Sequence, residues 1–494
     1  MSQRNPNERI IFGLKLKRLR QEHGLSFADL KSATGMSVSY LNEIEKGKKY
    51  PKEDKVEAIA NALGVSTEEL TSPHLGKNLS PISDLLHSNF LNELPFDLFD
   101  IELAKVVEII ASAPVKVGAF ISTLVEISKN YAVAEEHFYF GALRSYLELH
   151  NNYFEEIEQA AAAFSEKYKT PKNGMVPVEQ LAYLLQKKMG YKIVEGGLDK
   201  YPELSEIRSV FIPKGKRFLL NGQLTDMQKA FQFGKELGFN YMKLKERANT
   251  ASLLRVNSFE EVLSHFKAGY FSAALLINRE SFIGDMETFF QKPKWDGEFI
   301  LNILQKYRVS QETLFQRITN VLPQFFGLEN IFLLRFVHSP ANNVYKMDKE
   351  LHMTRKHRPH GNALSEHYCR RWLSVSLLDG LAEMQKSGRY TGALVGVQRS
   401  RYYKTNDEYL AFTLARPAYP SPEKNVSITV GILIDEALKS KVKFLDDPAI
   451  SLKEVNTTCE RCPIMDCAER SAPPSIVEAK NRRRRIQETL KKLS

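Results

Sequence analysis

The chain has 494 residues, 43% of them hydrophobic, with 29 Phe, 20 Tyr and a formal net charge of +10. This composition excludes wholesale disorder, and the length predicts two to four domains rather than a single core. No run approaches about 18 consecutive apolar residues, and the first residues contain no apolar signal core. We therefore expect a soluble, cytoplasmic protein with no membrane partner. Four cysteines are too few for a disulfide framework.

The excess positive charge lies at the two ends of the chain. Residues 1–60 contain 12 Lys and Arg against 8 Asp and Glu, and residues 476–494 contain 7 against 2, whereas the rest holds 50 against 49. Local basic patches attract phosphate backbones. The tail over 476–494 is expected to be a basic helix that adds phosphate contacts, pairs with an acidic partner face or remains solvated.

The first 72 residues predict a unit of five short helices. Ser26, with Asp29 three residues later, is typical of a capped helix start, and Gly35 is a typical stop. Ser37 then caps the next helix, and two further helices complete the unit. A Gly-containing turn between two short helices indicates a helix-turn-helix.

The stretches L-K-R-L-R-Q-E-H-G-L-S-F-A-D-L and Y-L-N-E-I-E-K-G-K resemble the Xre/Cro/lambda-repressor family. The resemblance implies that a recognition helix over 37–46 lies in the major groove of an operator. Contacts to bases or nearby phosphates are then expected from Ser37, Ser39, Tyr40 and Asn42, and phosphate contacts from Lys46, Lys48, Lys49, Lys15, Arg18 and Arg20. The alternative is that these charges form an ordinary solvated face.

Residues 80–168 form long runs with apolar residues at helical spacing, which predict a helical linker or dimerisation domain. The aromatic side of its last helix is either core or a dimer face. The turn-rich stretch K-T-P-K-N-G over 169–174 predicts a boundary.

Residues 175–325 resemble the small peptidase-like domain that is often fused to Xre-type units. The matching pieces are R-F-L-L-N at 217–221, F-Q-F-G-K-E-L-G-F at 231–239 and Y-F-S-A-A-L-L-I at 270–277.

Active relatives of this domain carry a His-Glu-x-x-His zinc motif on the central helix, with the Glu as base. Here the same positions read Lys235-Glu236-Leu237-Gly238-Phe239. An ammonium group and an aromatic ring replace both imidazoles, and Glu236 alone cannot hold zinc. We therefore expect a non-catalytic scaffold or ligand pocket, and no enzyme activity.

Three of the four cysteines lie within nine residues, as Cys459-x2-Cys462-x4-Cys467, and Cys369 lies 90 residues upstream. Such bunching is typical of a ligand set, because thiolates bind zinc or iron–sulfur clusters. The x4 spacing and the absence of a second CxxC favour an iron–sulfur cluster. Zinc, with His367 as a possible nitrogen ligand, and free redox-active thiols remain as alternatives.

The order of Xre domain, degenerate peptidase-like domain and C-terminal block C-E-R-C-P-I-M-D-C-A-E-R-S-A-P-P resembles the short-chain fatty-acid regulator family. The resemblance implies transcriptional control of carboxylate metabolism, an acyl-coenzyme A effector and, in some members, a [4Fe-4S] cluster held by Cys369, Cys459, Cys462 and Cys467.

An acyl-coenzyme A effector needs cationic groups for its phosphates and an apolar slot for its acyl chain. Candidate effector residues in the predicted sensor domain over 326–475 are Arg355, Arg358, Arg399, Arg401 and Tyr402. Apolar segments around G-A-L-V-G-V and V-S-I-T-V-G-I-L-I predict strands that could present them.

The predicted fold is α+β and mostly helical. It has a five-helix lambda-repressor-like domain over 1–72, a helical middle, a degenerate zincin-like α+β domain and a C-terminal α+β sensor domain. The predicted function is a dimeric transcription factor that binds a double-stranded DNA operator and a short-chain acyl-coenzyme A. Two rivals remain: a redox or iron sensor without a metabolite, and a peptidase that cleaves a repressor.

Overall fold

The computed structural model describes residues 6–72, 135–250, 256, 258–353, 366–390 and 392–493. The protein is a mixed α+β chain, as predicted. It divides into two units, Met1–Tyr146 with Asn257–Glu260, and Leu147–Val256 with Glu261–Ser494. The predicted helices over 80–134 fall outside the described residues.

Five helices build the N-terminal domain, which confirms the predicted number. They pack their leucine and isoleucine side chains into one core. Gly13 allows the first helix to cross the third closely, because a Cβ at this position would lie 2.5 Å from the carbonyl oxygen of Ile44. The helices are α1 (Pro6–Glu22), α2 (Phe27–Thr34), α3 (Val38–Glu45), α4 (Glu53–Leu63) and α5 (Thr67–Thr71).

The predicted helix boundaries around the turn are confirmed. The Ser26 side chain accepts a hydrogen bond from the Asp29 N–H, and the Asp29 carboxylate accepts one from the Ser26 N–H, so both halves of a capping box are present. Gly35 ends α2 at a φ of 68°, where a side chain would be strained. The Ser37 side chain caps α3 by accepting from the Tyr40 N–H.

The second unit begins with helices around a three-stranded sheet of order β1-β3-β2, in which β1 runs parallel to β3 and β2 antiparallel to it. The strands are β1 (Lys192–Val194), β2 (Ser209–Ile212) and β3 (Arg217–Leu220). The helices before the sheet are α6 (Glu135–Leu149), which crosses the unit boundary, α7 (Glu155–Tyr168) and α8 (Val178–Tyr183), and those after it are α9 (Asp226–Tyr241), α10 (Phe259–Leu276), α11 (Arg279–Phe290), α12 (Gly297–Tyr307) and α13 (Gln311–Phe326).

Helix α9 packs directly on α10. A Cβ at Gly234 would lie 2.4 Å from Ser272 Oγ, and one at Gly238 would lie 2.9 Å from the ring of Phe271. Only glycine at these two positions permits the approach. The central helix of the domain is therefore buried on this side.

A buried ion pair ties α7 to α13. Arg317 pairs with both carboxylate oxygens of Glu158, at 2.9 Å for Nη2–Oε2, and the Tyr270 hydroxyl donates to the same carboxylate at 2.8 Å. The Arg317 side chain has no exposed surface. Breaking such a pair leaves an uncompensated buried charge, so these groups stabilise the fold only together.

A six-stranded sheet of order β5-β4-β8-β7-β6-β9 forms the second half of this unit. Helix α14 (Leu373–Lys386) covers one face of this sheet. It packs so closely on β6 that a Cβ at Gly396 would touch Leu377. The adjacent Val395 points to the other face and meets Gly297 of α12. The strands are β4 (Ile331–Ser339), β5 (Val344–His352), β6 (Leu394–Tyr402), β7 (Glu408–Pro417), β8 (Asn425–Leu433) and β9 (Ser451–Val455).

Coverage on both faces explains why β7 and β8 are buried along almost their whole length. The two apolar segments predicted as strands overlap β6 and β8. Two helices follow the central strands, α15 (Glu436–Lys441) and the predicted basic helix α16 (Ser475–Leu493). Among the helices described, none is long and apolar enough to cross a membrane.

Candidate DNA-binding and effector sites

Helix α3 presents the predicted recognition face to solvent. Leu41 and Ile44 are buried in the domain core, whereas Ser37 and Ser39 are exposed and Asn42 is half-buried. The buried residues hold the helix and leave its polar side available for base edges. These side chains remain predicted DNA contacts.

A basic rim borders this face. Lys46 and Lys48 are exposed, and Lys49 pairs with Glu43 at 2.7 Å. The Lys55 ammonium lies 4.3 Å from the centre of the Tyr40 ring, a cation–π contact that the sequence analysis missed. Tyr40 is therefore oriented by a neighbouring helix. Arg18 is partly exposed and lies 3.7 Å from Glu22.

Two of the predicted phosphate contacts are corrected by the structure. The Lys15 side chain is buried, and its Nζ donates to the carbonyl oxygens of Glu69 at 2.6 Å and Ser72 at 2.8 Å. Arg20 donates to both carboxylate oxygens of Glu45 at 2.6 and 3.3 Å. Both cations satisfy internal acceptors, so they hold the domain together rather than face DNA.

In the peptidase-like domain, internal contacts fill the position of the zinc motif. Lys235 Nζ lies 3.0 Å from His265 Nδ1 on the next helix. Glu236 accepts from both terminal nitrogens of Arg247, at 2.7 and 2.9 Å, so its carboxylate is committed to an ion pair. The Arg247 guanidinium also lies 4.4 Å from the centre of the Phe239 ring. At the positions of the zinc motif, the glutamate is therefore ion-paired and neither histidine is present.

Lys235 is a buried ammonium group whose charge is destabilised. Burial lowers its pKa to about 7, with Arg247 and Arg208 acting in the same direction and Glu236 opposing them. Burial also lowers the pKa of His265, assisted by the charge of Lys235, so the imidazole is neutral and can accept a hydrogen bond from the ammonium.

The four cysteines are brought into one region. An isolated bridge pairs Tyr368 with Thr458, and the Cys459 N–H donates to the carbonyl oxygen of His367 at 2.8 Å. All four are free thiols, and all but Cys467 are buried. Within the described ranges, no group of three or more His, Cys, Asp or Glu side chains is arranged to hold a metal ion. The backbone therefore gathers the cysteines without directing their sulfur atoms to one point.

Backbone donors nevertheless approach two of the four sulfur atoms, those of Cys459 and Cys369. The Ser471 N–H donates to Cys459 Sγ at 3.5 Å. Burial raises the pKa of the Cys369 thiol to about 11, against the opposing effect of the Asn456 and Arg371 N–H groups. N–H groups directed at sulfur are suited to a thiolate ligand.

Arg470 organises the segment over 459–472, which we call the cysteine loop. Its guanidinium donates to the carbonyl oxygens of Cys459 at 2.7 Å, Cys462 at 3.0 Å and Ile464 at 2.6 Å. One cation thus fixes the loop backbone.

A small open cavity of about 20 Å³ lies between the peptidase-like domain and the six-stranded sheet. Arg335 and Arg416 line it from the sheet, where they pair in register with Ile428 and Val426 on β8, so cations and apolar side chains share one sheet face. The N-terminus of α13 closes another side. Glu312, on this helix, contributes its carboxylate to the wall of the cavity.

The charges of this cavity are unequally satisfied. Glu312 lies 3.5 Å from Arg208 Nη2 and 3.2 Å from Lys349 Nζ. Burial opposes its ionisation, but Lys349, Arg335 and Arg208 outweigh burial and hold its pKa well below the usual range. By contrast, no hydrogen bond or ion pair from the residues that the structure describes reaches Arg416, and burial lowers its pKa. The cavity therefore has unmatched positive charge.

The predicted effector residues do not converge. Arg399 and Arg401 on β6 share the carboxylate of Glu408. The prediction that Tyr402 contacts the effector is corrected by the structure. Its side chain is buried in the core beneath α14, so it cannot line an effector site. Arg355 and Arg358 lie outside the described residues.

Sequence patterns gave no signal for Arg208, Arg335 and Arg416. Arg335 and Arg416 are single charges among the apolar residues of a strand, and Arg208 is a single charge directly before a strand. Sequence patterns also gave no signal for His265, which lies on a different helix from the degenerate motif. Only the pairing of distant segments brings these residues into a site.

Comparison with known proteins agrees with this organisation. A sequence profile for a helix-turn-helix domain matches residues 11–72, and one for the IrrE N-terminal-like domain of the peptidase M78 group matches residues 186–319. The N-terminal domain is 37% identical over 65 residues to an uncharacterized HTH-type transcriptional regulator, y4dJ, of Sinorhizobium fredii, covering 13% of this chain and 84% of that protein. It is 33% identical over 63 residues to another, YazB of Bacillus subtilis, covering 13% and 91%.

The chain thus belongs to the Xre-type helix-turn-helix transcriptional regulators, and it carries an IrrE-like peptidase M78 domain. Its N-terminal domain is a DNA-binding domain. A solved structure described as a Mycobacterium tuberculosis transcriptional regulator overlaps 68% of this chain and 94% of that chain, with a TM-score of 0.46 and 19% identity.

Proposed function

We propose that this regulator controls short-chain fatty-acid or carboxylate metabolism and responds to a short-chain acyl-coenzyme A. The observation that carries this proposal is the cavity with the unpaired Arg416. A partly exposed guanidinium without a paired carboxylate favours an anionic ligand, and the apolar Val426 and Ile428 beside it suit a short acyl chain.

The dimensions of the cavity limit what it holds. Its free space of about 20 Å³ holds little more than one water molecule, so a ligand would occupy the open mouth of the cleft and most of a coenzyme A would lie outside it. Arg208 and Arg335 are partly neutralised by Glu312, which leaves Arg416 as the principal anion-binding group.

The cysteine loop would hold an iron–sulfur cluster, with zinc as the alternative, through Cys369, Cys459, Cys462 and Cys467. Burial, free thiols and backbone N–H groups directed at sulfur support this assignment. The thiol side chains would have to turn toward a common centre on binding. When bound, a cluster would supply redox sensitivity to the loop.

Regulation would act through a homodimer in which each α3 reads one half-site. The effector must bind two arrangements of the dimer unequally, because equal affinity shifts no equilibrium. A redox or iron sensor without a metabolite remains the first rival. The M78 match fits the peptidase rival in fold, but Lys235, Phe239 and the ion-paired Glu236 oppose zinc-dependent chemistry.

Calorimetric titration of the anaerobically purified protein with acetyl-, propionyl- and free coenzyme A tests the effector. We expect saturable binding that depends on the acyl group. Arg416→Gln should weaken it at least about tenfold, since a charge-assisted hydrogen bond is lost, and Arg399→Gln should leave it unchanged.

If the effects of the two variants are reversed, the effector site lies on β6 rather than in the cavity. Absence of binding to all three compounds by the folded protein would reject the metabolite and favour the redox rival. Comparison of DNA binding by anaerobic and air-oxidised protein then tests that rival directly.

A further inference from the structure

The C-terminal helix α16 has an unusual surface. None of the 19 residues of this helix is buried, and it carries seven Lys and Arg against two Glu. Its Arg484 lies 3.7 Å from Glu488 within the same helix, and both side chains are well exposed. Burial of side chains therefore does not account for the presence of this helix. Its surface is exposed and densely positively charged.

The helix is fixed to the rest of the unit at its first turn. The N–H groups of Ile476 and Val477 lie 3.2 and 3.4 Å from the carbonyl oxygen of Glu460 in the cysteine loop. The Glu460 carboxylate in turn accepts from the N–H of His367 at 3.0 Å. A helix of this length extends about 28 Å from that anchor.

The charge of this helix and the spacing of its apolar residues indicate which kind of partner it binds. Its exposed large apolar residues are Ile476 at 38%, Ile486 at 50%, Leu490 at 59% and Leu493 at 80%. Four consecutive arginines separate Ile476 from the other three, which span about one heptad, too short for a coiled coil with a second copy. A second copy would also bring like charges together. The phosphate backbone of DNA offers the complementary charge.

We propose that α16 is a second DNA-binding element, which contacts the phosphate backbone outside the bases that α3 reads. Such contacts add affinity without sequence preference and steepen the salt dependence, because each neutralised phosphate releases condensed cations. The cysteine loop, as the anchor of the helix, also sets where these contacts fall.

The test measures binding of the full-length protein to a mixed-sequence duplex of about 30 base pairs, roughly three turns, by fluorescence anisotropy at several salt concentrations. In the test variant, the four arginines of 482–485 become Gln. A matched control removes four exposed lysines elsewhere: Lys187→Gln, Lys188→Gln, Lys200→Gln and Lys214→Gln.

We expect the tail variant to bind at least about tenfold more weakly and to lose roughly two to four from the slope of log affinity against log salt. The control should retain the slope. Circular dichroism should report unchanged folding, since the substituted side chains are exposed.

Equal slopes for the two variants would overturn the proposal and identify a solvated terminus. Loss of binding to phosphatidylserine vesicles with unchanged DNA binding would overturn it in favour of a membrane surface. The outcome is separate from the proposed effector, because acyl-coenzyme A titration of the tail variant still reports on the cavity.

Discussion

The DNA-binding domain and the peptidase-like domain both retain a recognisable family sequence, but they differ in where their characteristic residues lie. In α3, polar residues of the family pattern lie at the surface, above a leucine and isoleucine core. In α9, Lys235 and Glu236 are buried and bound to His265 and Arg247. The fold of a peptidase-like domain can therefore persist after its zinc-binding residues are lost, because the side chains at those positions pair with neighbouring residues.

The largest expected effect concerns the core of the peptidase-like unit. Glu158→Gln leaves Arg317 buried without a countercharge, so we expect a loss of about 3–5 kcal/mol in the free energy of unfolding. Urea denaturation measures it. Glu195→Gln, in an exposed ion pair with Lys229, is the control and should change stability by less than about 1 kcal/mol. Similar losses in both variants would contradict the internal pairing argument.

A second prediction concerns the ammonium group in the former metal position. The folded pKa of Lys235 is about 7, against 10.5 for an ordinary lysine, so the unfolded chain binds the extra proton between these pH values. Stability from this group is therefore lowest below pH 7 and rises with pH up to about 10.5.

Lys235→Met removes this pH dependence. We expect the variant to exceed the wild type in stability by roughly 2–4 kcal/mol near pH 6, with the difference shrinking toward pH 10. Lys229→Met on the same helix is the matched control for loss of a lysine side chain. A difference between wild type and Lys235→Met that is constant with pH would show that Lys235 is not a destabilised buried cation.

The third prediction separates recognition from sensing. Asn42→Ala removes an amide from the polar side of α3, so we expect a loss of about 1–3 kcal/mol in operator affinity, or roughly 5- to 150-fold. Binding of acyl-coenzyme A should persist in a parallel calorimetric titration. Loss of both activities would mean that the two regions are not separable modules.

The smallest expected effect tests a local signal of the DNA-binding domain. Ser26→Ala removes the side-chain acceptor at the start of α2 and should lower stability by about 1 kcal/mol. Thermal unfolding of the N-terminal transition measures it. Ser32→Ala, on the exposed side of the same helix, should have little effect because it removes no cap.

Prediction from sequence succeeded where the signal is local. The five N-terminal helices and their caps, including helix α3, follow from periodicity and from residues such as Ser26, Gly35 and Ser37, each acting on the backbone within one turn. The strands β6 and β8 and the basic helix were likewise visible as continuous apolar or charged runs. Lys15 and Arg20 were misassigned because a basic residue next to an apolar stripe looks exposed until its acceptors, Glu69 and Glu45, are folded beside it.

The sequence by itself therefore determined the class of this protein: an Xre-type DNA-binding domain joined to a peptidase-like domain that lacks both histidines of its motif. Tertiary structure alone decided which charges are satisfied. Arg416, Arg335 and Glu312 meet across strands and helices far apart in sequence, and His265 reaches Lys235 from another helix. Whether a cation is neutralised, buried or left for a ligand depends on the distance to its countercharge and on the water excluded around it, and the fold sets both.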